Sequence, residues 1–404
     1  MTMKRILIVA AALAMTAMST MVACNNGLEP DDRGGDGGGT VTPSQPEEVS
    51  ASWAALADSC TTALIENFMN KSTGTFWSTP RDVEKSSDYI YWQQAHAIDV
   101  VLYSYQRIKE SNATLATTYA GYFQKWYEGG AHNYNTSHSS EGEYGRFYND
   151  YTDDMAWICL TLIRFYEVFG VKKYADCAKS VFDSYIWPRA TVGAKGLSLP
   201  WTCYDSDKEN RNACTNSPSC LVAAKLYNIY KTSSYLTTAK TLYDFCIANM
   251  PDSERVEEPP LTYTQGTFGE ACRQLYHITG ESEYKEKAAT VLAYAFRGNR
   301  CIDSATGVLR DEGSNMDQSL FKAVYVPYAV NFILDESMDK STRTYLQERL
   351  TNCATHLSAV LDRSRYPQMY CNYSWVTPFT TGVASMGAEA SGASLFEGMA
   401  RLED

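Results

Sequence analysis

Two adjacent acids, Asp153 and Asp154, open a strongly amphipathic stretch, Tyr151-Thr-Asp-Asp-Met-Ala-Trp157. Paired carboxylates can divide acid and base work. Cleavage of a glycosidic bond needs one group to attack or to activate water and another to protonate the departing oxygen. Aromatic rings such as those flanking this pair offer faces on which sugar CH groups stack. The same acids have a plainer use, because Asp caps helix starts and acids in a first turn interact favourably with the helix dipole by about 0.3 to 1 kcal/mol. The surrounding chain decides between these uses.

The elements that must position the pair are helical. Upstream of Gly170, apolar residues fall at Met155, Ile158, Cys159, Leu162, Tyr166 and Phe169, one face of a 3.6-residue period. Three segments then align: Arg164-Phe-Tyr-Glu-Val-Phe-Gly170, Lys225-Leu-Tyr-Asn-Ile-Tyr-Lys231 and Gln274-Leu-Tyr-His-Ile-Thr-Gly280. In each, the Tyr (166, 227, 276) is followed eight residues later by another Tyr (174, 235, 284) and twelve later by Ala (178, 239, 288). Each segment reads as a helix end, a short turn and the next helix start, with Gly170 and Gly280 where a left-handed C-cap belongs. Weaker echoes lie around Leu102-Tyr103 and Pro327-Tyr328. The copies are 61 and then 49 residues apart. That pitch accommodates two helices and a long loop, so Ser50 to Asp404 holds roughly six helical pairs. Strand signals are nearly absent. Six hairpins predict an all-α, closed (α/α)6 toroid, with inner helices presenting their ends and loops to a cleft; an open helical solenoid is the alternative.

The first 49 residues carry address information. Lys4 and Arg5 precede an apolar run, Ile6 to Ala23, flanked as a signal peptide is and ending Met21-Val22-Ala23-Cys24. Small Ala23 before Cys24 resembles a lipobox, so residues 1–23 are expected to be removed and Cys24 to be lipidated. Residues 24–49 are rich in Gly, Pro, Asp and Glu and form a flexible tether, leaving 50–404 as the globular domain. Glu29, Asp31 and Asp32 follow Cys24 closely, which resembles the signal carrying Bacteroidetes lipoproteins to the outer cell surface; the periplasmic face is the other possible destination. Removing the leader takes two residues from the chain's 35 basic ones and none from its 47 acidic ones, for a mature net charge of −14. Nucleic acid and anionic membrane surfaces are therefore poor partners, and a neutral substrate fits better.

Five blocks, in order along the chain, resemble glycoside hydrolase family 76, the bacterial and fungal endo-α-1,6-mannanases of (α/α)6 fold. They are Tyr91-Trp-Gln-Gln-Ala-His96, Tyr148-Asn-Asp-Tyr-Thr-Asp-Asp-Met-Ala-Trp157, Arg211-Asn-Ala-Cys-Thr-Asn216, Thr262-Tyr-Thr-Gln-Gly266 and Asp317-Gln-Ser-Leu-Phe-Lys322. Thr264 stands where the family usually has Asn, and Cys214 where Ile or Val is common. The resemblance implies hydrolysis of a mannan backbone with retention, Asp153 as nucleophile and Asp154 as general acid/base, with no cofactor or metal. The helix start would keep Asp153 ionised, while like charge and partial burial would hold a proton on Asp154.

With 13% aromatic residues, 29 of them Tyr, the chain has rings beyond the needs of a core. Trp92, Tyr151 and Trp201 are the expected sugar platforms, with Trp77, Tyr373 and Trp375 as weaker candidates at the rim. Gln94, Asn216 and Gln265 are candidate ligands of sugar hydroxyls, against a capping or loop-bracing role. The five His (96, 132, 138, 277, 356) show no metal-ligand spacing, and His96 reads either as a cleft residue or as a structural one. Of the eleven cysteines after Cys24, Cys159, Cys177, Cys246, Cys272 and Cys353 fall in helical stretches as small hydrophobes. Cys203, Cys214 and Cys220 cluster in a loop region, where one disulfide would suit an exported protein. The rival readings are a non-catalytic glycan-binding lipoprotein acting beside other glycan-utilisation proteins, and another (α/α)6 enzyme such as an unsaturated glucuronyl hydrolase.

Overall fold

Apolar faces at helical spacing pair off along the chain into hairpins. The computed structural model describes residues 51–83, 90–129, 136–257, 259–298, 300–313 and 315–403. The leader, Cys24, the tether and His132 lie outside the described residues. In chain order the elements are α1 (Trp53–Phe68), β1 (Met69–Asn70), β2 (Thr75–Phe76), α2 (Trp92–Ile108), α3 (Ala113–Gly129), α4 (Thr152–Phe169), α5 (Lys172–Val181), β3 (Thr191–Gly193) and β4 (Gly196–Ser198). They continue with α6 (Ala213–Tyr230), α7 (Ser233–Ala248), α8 (Thr262–Thr279), α9 (Ser282–Arg297), α10 (Met316–Leu334), α11 (Lys340–Val360) and α12 (Met386–Glu403). The strands form two small antiparallel hairpins, β1 with β2 and β3 with β4.

The even-numbered helices make the inner wall. Contacts run α2 to α4, α4 to α6, α6 to α8, α8 to α10 and α10 to α12, and α12 returns to α2. That last contact closes the ring, so the fold is the all-α toroid rather than an open array. Outer helices α3, α5, α7, α9 and α11 each lie against the preceding inner helix, and α1 lies against α12. Inner helices are buried nearly all round; every residue of α12 from Met386 to Ala400 is buried, whereas α11 buries one stripe. Small residues let the inner helices approach. A Cβ on Gly266 of α8 would stand 2.9 Å from the Tyr325 Cα of α10, and one on Gly387 of α12 would stand 3.0 Å from the Met316 carbonyl oxygen.

The repeated turns explain why all inner helices run the same way. Gly170 and Gly280 follow α4 and α8 with φ of 67° and 76°, and each donates its N–H to a Tyr carbonyl, Tyr166 or Tyr276. These are the left-handed caps expected from sequence. The third copy reaches the same conformation with a lysine, Lys231, at φ 55°. Each turn sends the chain into an outer helix and back, so inner-helix N-termini gather at one mouth of the ring.

Three buried amides brace the loops at that mouth in one repeated way. The Gln94 amide accepts from the Phe76 N–H and donates to the Phe76 carbonyl, both at 2.8 Å. Asn216 makes the same pair with Leu199, at 2.9 and 3.0 Å, and Gln265 with Val256, at 3.0 and 2.7 Å. Each side chain sits in the first turn or so of an inner helix and clamps the N–H and C=O of one residue of a preceding segment. All three are 0% exposed. They therefore correct the expectation that they bind sugar hydroxyls, because both ends of each amide are committed to backbone. Asn216→Leu should lower stability by about 2 to 4 kcal/mol through two unsatisfied backbone groups at Leu199. Urea unfolding would register this as an earlier midpoint.

Candidate active site

A cavity of about 430 Å³ opens at the mouth where the inner helices begin. Its floor and walls come from the first two turns: Trp92 and Gln93 of α2, Asp153 and Asp154 of α4, Tyr263 of α8, and Asp317 and Phe321 of α10. Tyr151 and Trp201 complete it from the loops. An isolated bridge pairs Tyr151 with Thr202, and the Thr152 N–H donates to the Trp201 carbonyl at 2.8 Å, which ties the Trp201 loop to the start of α4. The structure thus brings together five of the residues selected from sequence, Asp153, Asp154, Trp92, Tyr151 and Trp201.

The aromatic wall is continuous. Trp92 stacks on Phe321 at 6.3 Å between ring centroids, Phe321 stacks on Tyr263 at 4.2 Å, and Trp157 lies beneath, 6.3 Å from Trp92. On the other side Trp201 meets Tyr151 edge to face at 5.1 Å. Among the weaker candidates, Trp375 is fully buried with the Lys322 ammonium 4.2 Å from its ring, and the Tyr373 carbonyl accepts from that ammonium. Neither they nor Trp77 line the cavity. His96 is buried behind Trp92 and Trp157, and burial together with the Arg164 charge pushes its pKa well down, so it stays neutral.

The two acids face different surroundings. Asp153 Oδ2 accepts from the Trp201 indole N–H at 3.2 Å and from the Cys214 thiol at 3.7 Å, while Oδ1 has no hydrogen-bond partner among the described residues. Removal from water raises the Asp153 pKa to about 7, against the pull of Trp201, of the N–H groups at the helix start and of Cys214. The helix start therefore does not by itself hold Asp153 in the ordinary carboxylate range; burial outweighs it. Asp154 is pushed well up as well, first by burial and then by the charges of Asp153 and Asp317. The ordering still favours a proton on Asp154, because the hydrogen-bond donors gather on Asp153 and the negative charges act on Asp154.

Asp317 is the residue missed as a site member. Its Oδ1 accepts from the Trp92 indole N–H at 2.9 Å and from the Gln93 amide at 2.5 Å, which bridges α10 to α2 across the cavity. The signal was present: Asp317 opens a matched block, as Gln93 and Tyr263 lie inside others, and each falls at the first turn of an inner helix.

Cys214 sits between two acceptors, Asn212 Oδ1 at 3.1 Å and Asp153 Oδ2 at 3.7 Å. Cys203, Cys214 and Cys220 are free and their thiols face three separate sets of partners, with Cys214 and Cys220 six residues apart on one helix, which corrects the expectation of a disulfide among them. Cys203 is exposed beside Asp150, and the Cys220 thiol donates to the Ala239 carbonyl at 3.2 Å inside the core. The ionisable groups acting on Asp153 are Asp154 from α4, Cys214 from α6, Glu257 from the loop before α8, and Tyr263 from α8. Cys214→Val adds one heavy atom and removes one donor to Asp153, so a base form needed for attack would appear at higher pH. The acidic limb of the kcat/KM profile should move upward in that variant.

The model of glycosyl hydrolase family 76 matches residues 52–403. The chain belongs to glycosyl hydrolase family 76. It is a glycoside hydrolase with the all-α toroid of that family. Among solved structures, an inactive α-1,6-mannanase variant of Salegentibacter sp. HEL1_6, with two adjacent aspartates replaced and in complex with α-1,6-mannotetrose, has 22% identity and a TM-score of 0.73. That comparison covers 87% of this chain and 100% of the other. A family 76 mannosidase of Bacteroides thetaiotaomicron has 16% identity and a TM-score of 0.67, covering 87% and 99%. A Chaetomium thermophilum protein in complex with glucosamine has 13% identity and a TM-score of 0.61, covering 89% and 91%. No curated protein sequence matches the chain.

Proposed function

We propose that this family 76 hydrolase cleaves α-1,6-mannosidic bonds within a mannan backbone, by a retaining double displacement and from internal positions. The observation that carries the reading is the Asp153–Asp154 pair at the base of an aromatic cleft, with donors collected on the first acid and negative charge on the second. Asp153 attacks the anomeric carbon as Asp154 gives its proton to the departing oxygen; Asp154 then takes a proton from water, which releases the sugar from Asp153. Trp201 fixes the attacking carboxylate by its indole N–H, and Trp92, Phe321 and Tyr263 form an apolar wall for sugar faces. The α-1,6-mannotetrose held by the Salegentibacter enzyme supports the linkage. Both mouths of the cleft accepting chain would give internal cutting.

The same proposal places the enzyme outside the cytoplasm, anchored by lipid on Cys24 and held off the outer membrane by the tether. No helix among the described residues is long and apolar enough to cross a membrane. Mannan or its oligosaccharides are the substrate, and products would pass to other glycan-utilisation proteins.

Incubation of the purified chain with linear α-1,6-mannan, followed by chromatography, tests the reading. A ladder of short mannooligosaccharides is expected. Mannose alone would overturn internal cutting, and absence of any product would overturn the substrate.

A further inference from the structure

The ring closes where the first helix meets the last, and two sulfurs lie at that seam. Cys60 of α1, Cys371 in the loop before α12 and Glu389 of α12 bring two Sγ atoms and a carboxylate oxygen within 4.8 Å of one another. Both are free thiols in this structure and both are buried, Cys60 at 0% and Cys371 at 2% exposure. Each is held in place. Glu389 Oε2 accepts from the Cys371 N–H at 2.8 Å, and the bare α-carbon of Gly392 leaves the space that Cys371 Sγ fills, since a Cβ there would stand 2.2 Å from it. Beside them a polar seam already joins the same elements: Thr61 of α1 donates to Glu397 of α12 at 2.8 Å, and Arg107 of α2 donates to Glu397 and to Asp58 of α1.

We propose that Cys60 and Cys371 form a disulfide in the exported protein and so lock the first helix to the loop that leads into the last. The proposal rests on the reading that the chain leaves the cytoplasm, where such bonds persist. The cross-link would enclose almost the whole toroid, and loops of this length lose most chain entropy on closure.

A bound metal is the competing use of the same atoms, and charge argues against it. Two thiolates and a carboxylate around a divalent ion would leave one uncompensated negative charge in a fully buried place, because the nearby Arg107 is already paired with Glu397. Burial pushes Glu389 up to about 8, so the site is neutral without an ion. A disulfide keeps it neutral. In the exchange, one protein thiolate attacks the disulfide of an exported thiol oxidoreductase and expels one of its sulfurs. The second protein thiolate then attacks the protein sulfur of the mixed disulfide, releasing the oxidoreductase as a dithiol. The protein loses two electrons and two protons, and the oxidoreductase gains both. Because both sulfurs are buried in the folded ring, the exchange must precede its closure.

The full chain, expressed with its own leader in a bacterium, would be fractionated, acid-quenched, alkylated in denaturant and mapped by peptide mass. The expected result is a Cys60–Cys371 linked pair of peptides, 2 Da lighter than the reduced pair, with the other cysteines after Cys24 alkylated. Reduction should then lower the melting temperature by roughly 5 °C. Alkylation of both Cys60 and Cys371 in the exported fraction would overturn the proposal, as would a stoichiometric zinc ion released with them. A chain found only in the cytoplasm would defeat the export reading instead. The pair would then be tested by refolding in a glutathione and glutathione-disulfide buffer, where two alkylated thiols again overturn it.

Discussion

Asp153→Asn and Asp154→Asn should each reduce kcat on α-1,6-mannan by about 10³-fold or more while leaving the toroid folded. Asn has nearly the shape of Asp, and neither side chain carries the packing of α4, whose core face is Met155, Ile158, Cys159 and Leu162. Stability at neutral pH should be equal or higher. The sign follows from the upward shift: Asp153 titrates near 7 in the folded chain and near the ordinary carboxylate value when unfolded, so its contribution falls as pH rises from about 4 toward 7. Asn removes that loss. The two variants should differ on an aryl α-mannoside, whose acidic phenol departs without protonation. Asp154→Asn should keep a first step that Asp153→Asn lacks, and a burst of phenol in one variant only would show it. Equal turnover of both variants and the parent on mannan would return the pair to a helix-capping role.

Asp317→Asn should have the second largest effect. Asp317 raises Asp154 by its charge and receives the Trp92 and Gln93 donors. Neutralising it lets the Asp154 proton leave at lower pH, so the alkaline limb of the rate profile should shift downward. The bridge from α10 to α2 also weakens, since an amide is a poorer acceptor than a carboxylate for two N–H donors. A fall in kcat/KM of about 10- to 100-fold is expected, one to two well-oriented charged hydrogen bonds. Rate profiles from pH 4 to 9 would separate the two effects; an unmoved alkaline limb would show that Asp317 does not act on Asp154.

Much of this was legible because the turns repeat. Tyr166, Tyr227 and Tyr276 mark equivalent helix ends, and the glycines after two of them adopt the left-handed conformation that few other residues accept. The acid pair was legible through the matched block around it rather than by itself, since acids in a first helical turn also serve as caps and dipole partners. The closing helix was less so. Met386–Glu403 is lined with Gly, Ala and Ser because it is surrounded on all sides, and a helix buried all round shows no stripe. Pro218 and Pro327 lie inside α6 and α10, where a sequence reading would place breaks. The amides misled for a different reason. Gln94 and Gln265 stand two positions from the cleft residues Trp92 and Tyr263, and Asn216 two from Cys214, which reaches Asp153, but on a helix that offset turns the side chain away from the cavity and into the loop behind it. Asp317 escaped because its role depends on α10 returning to face α2, a contact that exists only once the ring closes.

The most direct test of the central claim is the anomeric form of the first product. Proton NMR would follow hydrolysis of α-1,6-mannotetraose by the wild-type chain, with Asp153→Asn as control. Retention through Asp153 predicts that the α-anomer of the new reducing end appears first and mutarotates later, and that the control gives neither. A β-anomer formed first would contradict the account, since it would mean that water, not Asp153, attacks the sugar.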